Sequence, residues 1–404
     1  MWDLIVVGGG AAGMAGAIAA ADCGDRVLLL ERMDRVGKKL LATGNGRCNL
    51  MNRGAPRYRD NPLAAQVLKR YGAAQQEAFW HSLGLMLYTD REDRVYPASL
   101  QASTVLDVLR GAMEERHICV RTDSAVTGLK RTPQGFAVMC AKGECYQGTR
   151  VLITTGGLAQ PKLGSDGSGF PLLESVGHAV TELRPGLTQV MTDTEPIRGL
   201  EGIRVRGIVR AYAHDRLLGE EQGEILFASY GLSGICVMQL SVACDGKDRT
   251  VSLDLSYGLG LSPEALREEI SRRGALPAER LLCGMFVPRL QQALFRKAGI
   301  PMGGKPLSAS ERDRLWRTIC DFRLPVRGLR GFESAQVTRG GAETGLFDPH
   351  TLESRKVPGL YAAGEVLDVD GDCGGYNLMF AFGSGLMAGS RGRKMRGEIL
   401  YADR

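Results

Sequence analysis

The residues best placed to do chemistry stand near the two ends of the chain. Gly8, Gly10 and Gly13 follow the apolar run Asp3-Leu-Ile-Val-Val7 in GxGxxG spacing, and Glu31 closes a second apolar run, Val27-Leu-Leu-Leu30. Gly8 permits a tight turn, Gly10 lets the backbone approach a pyrophosphate, and Gly13 lets a helix sit close to a strand. Ala11 and Ala12 open a small-residue helix to Ala21, whose first N–H groups and dipole favour phosphate. Glu31 stands about twenty residues beyond the glycines, where a carboxylate accepts hydrogen bonds from ribose hydroxyls. At the other end, Gly359-Leu-Tyr-Ala-Ala-Gly-Glu365 reads as a strand ending in Gly364-Glu365. Gly374-Gly-Tyr-Asn-Leu378 then opens a helix packed with small residues. A carboxylate after a strand suits a sugar or ribityl hydroxyl, and a helix N-terminus stabilises negative charge on a reduced ring.

The elements that must position these residues form a βαβ unit, strand 3–7, helix 11–21 and strand 27–30. After Glu31, the segment from Arg32 to Asn49 lacks helical or strand periodicity and is rich in Gly, Asn and basic residues. A long loop of that kind inside a compact domain is usually functional, and Lys38, Lys39 and Arg47 could hold a phosphate or a ring's polar edge. Residues 61–83 read as an amphipathic helix broken at Gly72, 85–88 as a short strand, and 103–116 as a second helix. Residues 118–122, 125–130 and 136–140 read as a small meander, in which Val126 could touch an adenine or simply fill a core. Residues 150–157 form another buried strand ending in Thr155-Gly156, and the turn 164–169 enters a helix running to Gly177. From about Val190, strands at 203–213, 224–227 and 250–255 enclose Gly231-Leu-Ser-Gly234, read as opening a helical stretch. Helices follow at Ser262-Pro-Glu, Leu276-Pro-Ala-Glu and the capping box Ser308-Ala-Ser-Glu311.

The expected fold is α/β. A Rossmann-like domain is built from both chain ends (1–190 and 340–404). It is interrupted by a β-barrel-like module (191–258 and 321–339) that carries a nested helical domain (259–320). A chain of 404 residues with 54 glycines accommodates several domains and many tight turns. The net charge of +6 is spread along the sequence, which argues mildly for anionic ligands and gives no clustered nucleic-acid face. Ten cysteines without CxxC spacing point to reduced thiols and a cytoplasmic setting rather than to disulfides or a metal site. The N-terminus lacks a signal-peptide pattern, and no run is long and apolar enough to span a bilayer. A membrane or nucleic-acid partner is therefore not expected.

These motifs carry a family likeness. Gly8–Gly13 with Glu31, Thr155-Gly156 and Gly364-Glu365 resemble the nucleotide-binding elements of two-dinucleotide-binding-domain flavoproteins. More narrowly, Gly37-Lys-Lys-Leu-Leu-Ala-Thr-Gly-Asn-Gly-Arg-Cys-Asn-Leu50, Gly223-Glu-Ile-Leu-Phe227 with Gly231-Leu-Ser-Gly234, and Gly364–Gly371 with Gly374-Gly-Tyr-Asn377 resemble the BaiN-like flavoproteins. That group includes bile-acid dehydroxylation-pathway reductases and aminoacetone oxidases. The resemblance implies one non-covalent FAD. Gly8, Gly10, Ala11, Ala12 and Gly13 would face its pyrophosphate, and Glu31 with Arg32 its adenosine ribose. Lys39, Leu40, Thr43, Gly44, Asn45 and Cys48 would line the ribityl chain and ring. Val126 would meet adenine, Thr155 and Gly156 the nucleotide edge, Gly364 and Glu365 the ribityl–phosphate side, and Asn377 and Leu378 the flavin N1–C2 edge. The chain departs from the family pattern at Met51, at Ala228-Ser229 and at Ile235, where Thr, Thr-His or Thr-Glu, and Pro are common.

In such an enzyme hydride passes at flavin N5 to or from a small or steroid-like organic molecule, with NAD(P)H as a transient donor. Two alternatives are a flavoprotein acting on tRNA and a non-catalytic redox sensor. No Ser-His-Asp set or metal cluster competes for the role. Tyr96, Tyr230 and Tyr376 could each donate to a substrate carbonyl, and Arg94 could bind a carboxylate. Cys48 could be a reactive thiol or a covalent flavin tether, and a small buried residue is the better reading. Tyr230–Gly234 and Tyr376 are expected to wall the substrate pocket.

Overall fold

The computed structural model describes residues 1–59 and 61–393, so the last part of the 340–404 segment lies outside the described residues. The chain divides into two compact units, Met1–Pro185 with Gln336–Arg404, and Gly186–Ala335.

The first unit is built on a seven-stranded sheet. Its parallel part runs in the order Cys119–Arg121, β2 (Val27–Leu30), β1 (Trp2–Val7) and Cys145–Ile153, and Leu360–Ala362 also pairs with Cys145–Ile153. β1, β2, Leu360–Ala362 and the end of Cys145–Ile153 at Val151–Ile153 are short and mostly apolar, as strands covered on both faces must be. Their register is level: Val7 stands opposite Leu30 and Ile153, and Ile153 opposite Ala362. Gly8, Glu31, Thr154 and Ala363, each the next residue, therefore emerge along one carboxyl edge. Crevices at that edge are where open α/β sheets bind ligands.

Two helices rich in small residues lie close together. Helix α1 (Ala11–Asp22) and the closing helix Tyr376–Ser390 are both almost entirely buried. A Cβ on Gly385 would collide with the Ala12 carbonyl oxygen, and one on Gly389 with that of Gly16. Glycine here serves backbone approach, which a larger residue would prevent.

The structure differs from the sequence expectations in several details. Within the segment 32–49, expected as a loop, Lys38–Ala42 forms a short helix, too brief for periodicity to declare. Residues 119–121 join the parallel sheet beside β2, and the antiparallel meander consists of Val126–Thr132, Gly135–Cys140 and Cys145–Ile153. A three-residue strand carries no periodicity that fixes its partner. Gly231–Ser233 is a strand, with the helix beginning only at Ile235. The helix after the 164–169 turn spans Gly169–Glu174 and stops short of Gly177. Among the described residues no helix is long and apolar enough to cross a membrane.

The second unit holds a closed six-stranded barrel, ordered Val190–Thr192, Gly231–Ser233, Arg216–Ala228, Arg204–Ala213, Arg249–Asp254 and Phe322–Leu329. Helices Pro263–Arg272, Pro288–Lys297 and Ala309–Cys320 share its core, where Leu253 and Phe322 join Leu266, Leu294 and Leu315. The Ser308/Glu311 capping box forms as its spacing requires.

Candidate active site

The turn after β1 is set by Gly8, whose φ is +106°. A Cβ on Gly13 would strike the Gly8 carbonyl oxygen, so the first turn of α1 is drawn down onto the strand end. Gly10, the residue capping α1, has open space where a Cβ would stand, and no side chain caps the helix. The orphan N–H groups of that first turn are thus left without a side-chain cap, the arrangement that suits an anion.

Glu31 is 8% exposed. Its Oε2 accepts from the Gly9 N–H at 2.7 Å and its Oε1 from the Met33 N–H at 2.8 Å. Burial pushes its pKa up, against the opposing pull of those N–H groups and of Arg32. A carboxylate has about four acceptor sites, so both oxygens retain capacity for hydroxyl donors. Arg32 pairs with Asp166. Val126 is half-buried at the start of its strand.

Next along the sheet edge, the Thr154 hydroxyl donates to the Val7 and Gly8 carbonyls at 3.0 and 2.8 Å. Thr155 Oγ1 is buried with no hydrogen-bond partner among the described residues. Gly156 has a φ of +73°. At the far strand, the Gly364 N–H donates to Ser384 Oγ at 2.9 Å, joining the turn to the closing helix. Glu365 bridges two segments: Oε2 accepts from Lys39 Nζ at 2.6 Å and Oε1 from the Thr338 N–H at 2.8 Å. Thr338 Oγ1 in turn accepts from the Leu158 and Ala159 N–H groups.

The glycine-rich loop contributes Thr43, whose hydroxyl donates to the Leu40 carbonyl at 2.7 Å, and a left-handed pair, Gly44 and Asn45. Cys48 is fully buried and burial pushes its thiol up to about 12, so it is a neutral packing residue near pH 7. Asn49 lies against the start of the closing helix: a Cβ on Gly375 would come within 2.7 Å of Asn49 Oδ1, a buried atom with no hydrogen-bond partner among the described residues.

The closing helix begins after Gly374 and Gly375, with φ of +129° and +105°. Asn377 is occupied by the preceding turn, its Oδ1 accepting from the Gly371 N–H and its Nδ2 donating to the Gly371 and Asp372 carbonyls. Leu378 is half-buried beside it. Tyr376 is buried edge-to-face against Tyr58, whose hydroxyl donates to the Tyr376 carbonyl at 2.6 Å. Tyr230 belongs to the second unit, where the Arg330 guanidinium stands over its ring.

The first unit thus brings together Gly8–Gly13, Glu31, Lys39, Thr155, Gly156, Gly364 and Glu365 around one sheet edge. Open space at Gly10 and the orphaned Thr155 and Asn49 oxygens fit an extended ligand with a pyrophosphate and polar groups beyond it. Sequence reasoning missed Thr338, Ser384 and Asn49. Only Asn49 carried a signal, its place beside Cys48 within the glycine-rich loop.

Comparison with known proteins gives a consistent picture. Residues 2–391 match the family described as HI0933-like protein Rossmann domain. A 3-dehydro-bile acid Δ(4,6)-reductase from Clostridium scindens is 36% identical over 401 residues, covering 95% of this chain and 97% of its own. A ribosomal RNA dihydrouridine synthase from Escherichia coli is 31% identical, covering 95% of this chain and 96% of its own. The Haemophilus influenzae protein of the same description is 27% identical, covering 94% of this chain and 96% of its own.

Proposed function

The chain belongs to the HI0933-like Rossmann-domain family, and from that footing we propose that it is an FAD-dependent oxidoreductase reducing a carbon–carbon double bond conjugated to a carbonyl. The observation that carries the reading is the level sheet edge, where Gly8–Gly13, Glu31, Thr155 and Gly364-Glu365 converge from three remote segments. The relatives' activities support the reaction type. A Δ(4,6)-reductase of a 3-dehydro-bile acid and a dihydrouridine synthase both saturate a ring double bond, and in a 3-oxo-4-ene steroid as in uridine that bond is conjugated to a carbonyl.

FAD, when bound, supplies the hydride chemistry that no side chain can perform. The protein's part is to hold and orient it. The N–H groups at Gly10–Gly13 take the pyrophosphate, Glu31 the adenosine ribose, and Thr155 and Gly156 the nucleotide edge. The Lys39–Glu365 pair borders the ribityl chain, and the loop 43–49 and the start of the closing helix border the ring. Hydride addition to a conjugated double bond builds negative charge on the carbonyl oxygen and requires a proton at the α-carbon, so the site must present donors there. NAD(P)H serves as the transient electron donor.

The preferred substrate is a small, steroid-like enone. Uridine in RNA is the second reading, favoured by the two dihydrouridine synthases aligned along nearly the whole chain. The test supplies FAD-loaded protein with NAD(P)H, without oxygen, and offers a 3-oxo-4-ene steroid and a uridine-containing RNA in parallel. Saturated steroid is expected. Dihydrouridine alone transfers the reaction to RNA, and neither product overturns the proposal.

A further inference from the structure

The strand Arg94–Pro97 is the middle member of a small antiparallel sheet between Met51–Asn52 and Leu87–Thr89. Its register sets Asn52 opposite Arg94 and Tyr88 opposite Tyr96. Side chains alternate along a strand, so Arg94 and Tyr96 share one face with Asn52, while Val95 is buried on the other. That shared face lies against the turn that starts the closing helix. Asn52 Nδ2 donates to the Gly374 carbonyl at 3.0 Å, and a Cβ on Gly375 would come within 2.6 Å of the Met51 carbonyl. The charged and titratable groups acting on Tyr96 are Arg94, Asp90, Arg47 and Cys373, the last in that same turn. Arg94 is fixed there by Asp90 at 2.8 Å and Glu92 at 3.0 Å. The phenol of Tyr96 thus lies on the strand face whose Asn52 reaches the turn assigned above to the cofactor ring, with Arg94 and Arg47 among the charges that act on it, and no part of the proposed reaction has yet used it.

We infer that Tyr96 is the proton donor of the reduction. The inference rests on the function proposed above and supplies what that function lacks, an acid for the α-carbon. With the β-carbon receiving the hydride that reduced FAD would supply, the π electrons of the double bond would form a new C–H bond at the α-carbon with the Tyr96 hydroxyl proton. The Tyr96 O–H bond breaks, its electrons remain as phenolate, and water returns the proton. The substrate gains two electrons and two hydrogens, and the cofactor loses two electrons. The surroundings suit both states. Burial raises the phenol's pKa and keeps the proton in place, whereas Arg94 and Arg47 favour the phenolate once it has gone. Tyr376, by contrast, is packed against Tyr58.

The test compares the parent holoenzyme with Tyr96→Phe, pre-reduced without oxygen and mixed with a 3-oxo-4-ene steroid in deuterated water. A general acid contributes about 10²–10⁴-fold, so Tyr96→Phe should slow enone reduction by at least about 100-fold. FAD affinity, melting temperature and reoxidation by ferricyanide, which needs no proton on carbon, should match the parent. The parent rate should carry a solvent isotope effect with deuterium at the α-carbon. If Tyr96→Phe reduces the enone at the parent's rate, Tyr96 is not the donor and the proposed function stands. If the parent reduces neither the enone nor uridine in RNA, the functional reading fails and this inference falls with it; if it reduces uridine alone, the same comparison of parent and Tyr96→Phe is read on the RNA.

Discussion

At the scale of single residues, Glu31 carries two roles at once. Its carboxylate receives the Gly9 and Met33 N–H groups, which hold the glycine turn and the end of β2 together, and its remaining lone pairs are available to ribose hydroxyls. A hydrogen bond to a charged acceptor is worth about 1.5–3 kcal/mol, or roughly ten- to 150-fold in affinity. Glu31→Ala should therefore raise the FAD dissociation constant by at least about tenfold. It should also lower the melting temperature, because two backbone donors lose their partner. Fluorescence titration with FAD checks the first effect, and an unchanged constant would remove Glu31 from the site. Glu31 was legible in the sequence because its distance from the glycines is fixed by one local βαβ unit. Thr338 and Ser384 were not, because each acts on a segment that only the folded chain brings near. Tyr96 was visible as a candidate donor, yet Arg47 and Cys373, two of the groups whose charge acts on it, lie some fifty residues before it and nearly three hundred after.

At the scale of elements, the pair formed by α1 and the closing helix links packing to binding. Gly385 lies against the carbonyl of Ala12, in the first turn of α1, so helix separation is coupled to the position of the N–H groups proposed to take the pyrophosphate. Gly385→Ala should force the helices apart, at a cost of about 1–3 kcal/mol typical of overpacking. Thermal unfolding and FAD titration should then change together. A variant that melts earlier with parental FAD affinity would show that the helix pair supports stability alone. The long or strongly patterned elements were readable: the βαβ unit, the helices flanking Gly72 and the capped helix at Ser308. The short ones were not. Cys119–Arg121 and Gly231–Ser233 are three residues each, too brief for alternation to declare a partner, and their places are fixed by neighbours distant in sequence. Helix Pro288–Lys297 also escaped notice, although Pro at its first position and Leu290, Leu294 and Phe295 on its buried face carry the signal.

At the scale of the molecule, the first unit is assembled from both ends of the chain, and the strand Leu360–Ala362 completes the edge that β1 and β2 begin. A ligand lying along that edge touches segments more than three hundred residues apart in sequence, so it should hold the unit together as well as serve its chemistry. The central claim is that this edge holds FAD. Its most direct test is to release the small molecule from purified protein by heat and identify it by chromatography, before and after soaking with FAD. The account predicts FAD, freed without covalent attachment, at one per chain. A preparation that carries no flavin and takes up none on soaking would contradict it.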